Sequence, residues 1–137
     1  QLIRDGKASY GPGLQDRYRL LSFLNDKELT FAYALADIVV SRAGAGSLSE
    51  IAALGKPAVV IPITESANNH QLLNAQEFAQ FGGVVVEGAN MTPHILLNQI
   101  QALLEPARYV AVSKRIQDFA KPHAADMIAQ LLLDVAK

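Results

Sequence analysis

The chain has 137 residues, about the size of one domain, and 50% of them are hydrophobic, which excludes a disordered tail or linker. A net charge of −1 gives nucleic acid no electrostatic footing, and the lack of cysteine excludes a disulfide scaffold or thiolate zinc site and fits a reducing compartment. Charged residues make up only 18%, below the roughly 25% usual in soluble domains, so part of the surface is expected to meet something other than water.

No apolar run reaches the roughly 18 to 20 residues of a membrane helix, and no signal peptide opens the chain. It begins at Gln1 without an initiator methionine and reads as a fragment of a longer protein. Gln1 to Gln15 has weak periodicity and a Gly11-Pro12-Gly13 breaker, which predicts loop with a helical turn at most. Tyr18 to Leu24 reads as a strand, and Asn25 or Asp26 then caps a helix through Ala34. Asp37 to Ser41 is a predicted buried strand, Gly44-Ala45-Gly46 a loop, and Ser47 to Leu54 a helix closed by Gly55. Pro57 precedes a strand over Ala58 to Ile61, Pro62 ends it, and Ile63 to Ala67 is a loop.

Asn68 to Phe81 has helical spacing, with Leu72, Leu73, Phe78 and Phe81 as expected buried anchors and Gly82-Gly83 as the stop. Val84 to Val86 is a short strand. Thr92-Pro93 has the form of an N-cap followed by a first-turn proline, and predicts a helix through Leu104. Pro106 opens a helix to Phe119. Pro122 opens the last, with Ala125, Ile128, Leu131, Leu132 and Val135 along one side, to pack either on this domain or on a missing one. Alternation of β-branched runs with helices predicts one α/β domain over residues 1–137, a Rossmann-like parallel sheet flanked by helices, its first strands lost upstream.

The chemistry concentrates at Ser41-Arg42-Ala43-Gly44-Ala45-Gly46-Ser47-Leu48-Ser49-Glu50, where a buried strand runs through small residues into a helix. Ligands of open α/β sheets bind beyond the carboxyl ends of the strands, and a helix start offers N–H groups and partial positive charge to phosphate. The pattern is neither G-x-G-x-x-G nor a P-loop, and a tight turn without a ligand would look the same. Glu50 has two readings: a capping box with Ser47, or a carboxylate that accepts bonds from two vicinal ribose hydroxyls. In Asn68-Asn69-His70-Gln71-Leu72-Leu73-Asn74, Gln71 and Asn74 share a helix face, and neutral amides suit sugar hydroxyls as well as they suit ordinary helix surface. No His, Asp or Glu set has metal-ligand spacing, so no protein-bound metal or other cofactor is expected, and His94 and His123 read as structural. For Asp26 and Glu28 the expected role is helix capping.

The run ADIVVSRAGAGSLSEIAALGKPAVVIPI, followed by NNHQLLNA, resembles the C-terminal domain of the MurG family, the peptidoglycan N-acetylglucosaminyltransferases of GT-B fold. The resemblance runs from about Phe23 to the final helix. It implies a donor half that binds UDP-N-acetylglucosamine (UDP-GlcNAc) and serves an inverting transfer of GlcNAc to lipid I, giving lipid II. By that resemblance Glu50 holds the ribose hydroxyls, and Ala45, Gly46 and Ser47 lie beside the diphosphate. Gln71 meets the GlcNAc hydroxyls, with Asn74 in the same motif and His70 at a neighbouring, variable position. The backbone at Leu24 reads the uracil, and Arg42 stands near the cleft.

The resemblance also implies a glycine-rich phosphate loop before Gln1 and an N-terminal domain that holds lipid I and the base. No residue of this chain is therefore expected to be catalytic, with His70 the single internal candidate for a base. The expected location is peripheral, at the cytoplasmic face of the plasma membrane. The alternatives are another GT-B enzyme, such as the dolichol-linked GlcNAc transferase, and a non-catalytic nucleotide-sugar module. A dinucleotide oxidoreductase is disfavoured by the lack of G-x-G-x-x-G with an acidic residue about 20 positions on.

Overall fold

The computed structural model describes Gly13, residues 17–63 and residues 69–136. The predicted opening loop, apart from Gly13, lies outside these residues, as do Thr64 to Asn68 of the predicted loop and helix start. The chain divides into two units, Gln1–Phe31 and Ala32–Lys137.

In the first unit the predicted strand over Tyr18 to Leu24 is not formed. Leu20, Leu21 and Phe23 are exposed there, and an apolar run becomes a strand only where a neighbour completes its ladder. Helix α1 (Asp26–Leu35) starts as expected. Asn25 Oδ1 accepts from the Glu28 N–H at 3.1 Å, and Glu28 Oε2 accepts from the Asn25 N–H at 2.9 Å, a reciprocal capping box.

In the second unit the elements run β1 (Val39–Ser41), α2 (Ala45–Ala53), β2 (Ala58–Val60), α3 (His70–Gln80), β3 (Val84–Val85), α4 (Pro93–Leu104), α5 (Pro106–Ile116) and α6 (Ala124–Val135). The strands form a parallel sheet in the order β1-β2-β3, with Val39 opposite Ala58 and Val59 opposite Val84. All of β2 is buried, as a central parallel strand should be, whereas β1, predicted as a buried strand over Asp37 to Ser41, spans only Val39–Ser41 and leaves Val40 45% exposed, because it is an outer strand of the described sheet. The period of two in β2 sends Ala58 and Val60 into one cluster with Leu48, Ile51 and Ala52 of α2 and Ala75 and Phe78 of α3. Val59 joins the other, with Leu103 of α4 and Val86. Helices α2 and α3 therefore cover one face of the sheet and α4 the other.

Three local rules position this frame. Thr92 accepts from the Ile95 N–H through its hydroxyl at 3.2 Å, with Pro93 in the first turn, as predicted. Gly55, at φ +60°, closes α2 in the left-handed conformation that a β-carbon would strain. Asn69, before α3, has φ 55°, which asparagine tolerates better than most residues.

Helix α2 begins two residues earlier than predicted, so Gly44-Ala45-Gly46 is not a free loop. Glycine weakens a helix interior, but burial of Leu48, Ile51 and Ala52 fixes the helix and its first turn absorbs Gly46. Helix α3 starts at His70 rather than Asn68, and Leu73, expected as an anchor, is 58% exposed while Phe78 is fully buried. Ile128, Leu131, Leu132 and Val135 of α6 are also exposed, so of the two expected partners of that helix, the described residues of its own domain do not cover it. No helix among the described residues is long and apolar enough to cross a membrane.

Candidate functional site

Beyond the carboxyl ends of β1 and β2 lies an open recess of about 440 Å³, lined by Val40, Ser41, Arg42, Ile61, Pro62 and Ile63. It sits where the adjacent parallel strands β1 and β2 hand over to α2 and α3. Arg42 is exposed on its wall.

Three residues after Arg42, α2 begins. Gly44 is its N-cap in an extended conformation (φ −70°, ψ 131°) and offers no side chain to the first turn. The first backbone bond of the helix is the Leu48 N–H to the Gly44 carbonyl, 3.0 Å. The N–H groups of Ala45, Gly46 and Ser47 therefore have no acceptor among the described residues. A β-carbon placed on Gly46 would meet nothing within 4 Å, so that side of the helix start is open. Free donors, the positive end of a helix and open space together suit an anionic oxygen.

The expected Ser47–Glu50 capping box is absent. With Gly44 as N-cap, Ser47 falls inside the helix, too far along to cap it, and Glu50 sits in the second turn rather than the first. The same device appears instead at Asn25 and Glu28. Glu50 is left exposed, and Tyr33, near the end of α1, donates its phenolic hydrogen to Glu50 Oε2 at 3.3 Å. Burial first, then the charge and hydrogen bond of Glu50, push the Tyr33 phenol above its usual 10, so it is a donor at neutral pH. Glu50 also lines a second recess of about 240 Å³ with Ser49, Ala53, Ala120, Lys121 and Pro122.

At the start of α3, Gln71 and Asn74 face the strand ends, as their spacing predicts, but each is partly occupied. Gln71 Oε1 accepts from the Ile63 N–H at 3.0 Å, and Asn74 Nδ2 donates to the Ala43 carbonyl at 3.0 Å. One amide thus ties α3 to the chain after β2, the other to the turn before α2. Among the described residues the Gln71 amino group and the Asn74 side-chain carbonyl have no partner. His70 is exposed beside them as the first residue of α3.

The structure thus brings Arg42, Ala45, Gly46, Ser47, Gln71 and Asn74 around the ends of β1 and β2, with Glu50 one turn along α2. Leu24 belongs to the first unit and is partly buried there. Tyr33 was missed by the sequence reading. Nothing in α1 marks it out until the chain folds and its hydroxyl meets a carboxylate 17 positions away.

The glycosyltransferase family 28 C-terminal domain matches residues 5–131. A UDP-N-acetylglucosamine--N-acetylmuramyl-(pentapeptide) pyrophosphoryl-undecaprenol N-acetylglucosamine transferase of Solidesulfovibrio magneticus is 39% identical over 117 residues, 84% of this chain and 31% of that protein. Its counterpart of the same name in Syntrophotalea carbinolica is 36% identical over 137 residues, 98% of this chain and 37% of that protein. The crystal structure of Acinetobacter baumannii MurG superposes with a TM-score of 0.75 at 27% identity, covering 85% of this chain and 35% of that one. The chain spans about a third of the length of these relatives. The parallel sheet, the helix start beyond β1 and the match over nearly the whole chain lead to one statement: the chain belongs to the glycosyltransferase family 28 C-terminal domain family, in its MurG branch.

Proposed function

We propose that residues 1–137 act as the donor-binding domain of an inverting transferase that moves GlcNAc from UDP-GlcNAc to lipid I, giving lipid II for peptidoglycan. The observation that carries this reading is the uncapped start of α2, three N–H groups after β1 without an acceptor among the described residues, with a carboxylate one turn further on. From Ala45 to Glu50 the helix rises on the order of 7 Å. That spacing lets Ala45, Gly46 and Ser47 meet the diphosphate while Glu50 accepts both ribose hydroxyls. Arg42, exposed on the recess wall, adds positive charge near the phosphates. The free Gln71 amino group and Asn74 carbonyl take sugar hydroxyls, with His70 at the rim.

The chemistry assigned to this chain is leaving-group stabilisation. Charge grows on the diphosphate as the anomeric bond breaks, and preorganised N–H donors at a helix start stabilise it without reorganising. The base and the acceptor hydroxyl come from an N-terminal domain, which the exposed apolar side of α6 helps to receive. The whole protein works at the cytoplasmic membrane face. The names of the relatives favour this over a dolichol-linked enzyme.

The test is titration calorimetry and a transfer assay on the full-length protein. UDP-GlcNAc binds better than other nucleotide sugars, EDTA does not abolish binding, and a soluble lipid I analogue becomes the disaccharide product with release of UDP. The chain of 137 residues alone does not turn over. Equal binding of ADP-sugars overturns the assignment, and turnover by the isolated chain that disappears in His70→Ala overturns the placing of the base elsewhere.

A further inference from the structure

Glu50 is exposed on the outer side of α2, and an exposed glutamate explores many rotamers. A carboxylate that must accept two hydroxyls at once needs one orientation. Tyr33 meets the requirements of a fixed support. Its ring is half-buried against the cluster formed by Leu48, Ile51, Ala52 and their neighbours. The end of its helix is strapped down by Lys56, whose ammonium donates to the Ala36 carbonyl at 2.9 Å and the Ala34 carbonyl at 3.3 Å. Lys56 lies just beyond α2, the helix that carries Glu50, and its N–H donates to the Ile51 carbonyl at 3.0 Å. Donor and acceptor are thus referred to the same turn of chain.

We propose that Tyr33 is a positioning residue that holds the Glu50 carboxylate for a vicinal diol, the ribose of the nucleotide. The inference rests on the reading of Glu50 as the diol acceptor. A carboxylate has about four lone-pair sites. The phenol occupies one, on Oε2, and Oε1 with the remainder of Oε2 is left for two hydroxyls. The phenol is protonated throughout the neutral range, so it can donate to the carboxylate there. Tyrosine therefore orients the group without consuming its capacity, and phenylalanine would keep the packing and lose only the orientation.

The experiment compares UDP with 2′,3′-dideoxy-UDP by titration calorimetry on the full-length protein, for wild type, Tyr33→Phe, Glu50→Gln and the double variant, with melting temperatures alongside. Tyr33→Phe weakens UDP by about threefold to tenfold, the worth of one hydrogen bond, and leaves the dideoxy ligand and the melting temperature unchanged. Glu50→Gln narrows the ratio of the two affinities further, and adding Tyr33→Phe to it changes nothing more. If Glu50→Gln keeps the wild-type ratio, the reading of Glu50 fails and the inference with it. A ratio that collapses in Glu50→Gln but is untouched in Tyr33→Phe overturns the role of Tyr33 alone. Equal weakening of both ligands in Tyr33→Phe, with a lower melting temperature, makes Tyr33 a packing residue and also overturns it.

Discussion

Asn74→Ala is expected to cost stability before it costs specificity. Its amide donates across 31 positions of sequence to the carbonyl of Ala43, a residue with no exposed surface. Truncation removes a hydrogen bond with a net worth of roughly 0.5–1.5 kcal/mol and strands a buried carbonyl, which raises the total to roughly 1–3 kcal/mol. Asn74→Asp has the same shape but no donor, and sets a negative charge against that carbonyl, so it destabilises more. Urea denaturation followed by circular dichroism reads both, as a lower midpoint at unchanged slope. Because Ala43 leads into α2, loosening it also weakens UDP, not UDP-GlcNAc alone. The reasoning is refuted if both variants keep the wild-type midpoint while UDP-GlcNAc binding falls and UDP binding does not. The amide would then serve the sugar and not the fold.

Glu50→Ala weakens UDP by roughly 1.5–3 kcal/mol, the worth of hydrogen bonds to a charged group, and leaves the melting temperature near wild type because Glu50 caps nothing; titration calorimetry with a melt checks both. Gly83→Ala is expected to destabilise by roughly 1–3 kcal/mol, since the new methyl would overlap the buried Phe78 ring, within 2.6 Å of its Cε1, and a thermal melt equal to wild type would refute that packing. The phenol of Tyr33 is raised in the folded state, chiefly because burial penalises the phenolate, so stability is unaffected below the unfolded value of 10 and falls as pH rises from there through the folded one. Stability measured from pH 9 upward should therefore fall less steeply in Tyr33→Phe than in wild type.

The sequence alone determined the class of fold and the place of the site. A run such as Ala58 to Ile61, β-branched, apolar throughout and bounded by prolines, reads as a strand of a parallel sheet between helices. Small residues after Asp37 to Ser41 mark where a backbone must be approached. The Thr92-Pro93 cap and the Gly55 stop are local chemistry, and local chemistry is legible without a fold. Tertiary structure decided what depended on partners distant in sequence. Tyr18 to Leu24 has the composition of a strand and is none, because a strand exists only with a ladder to join. Ser47 and Glu50 have the spacing of a capping box, yet burial of Leu48, Ile51 and Ala52 starts the helix earlier and denies them that position. Only then is the Glu50 carboxylate free to meet Tyr33, and only then do Gln71 and Asn74 show which half of each amide the fold uses. Sequence spacing fixes which side chains share a face, but each hydrogen-bond donor or acceptor is committed by whatever the folded chain brings within about 3 Å of it.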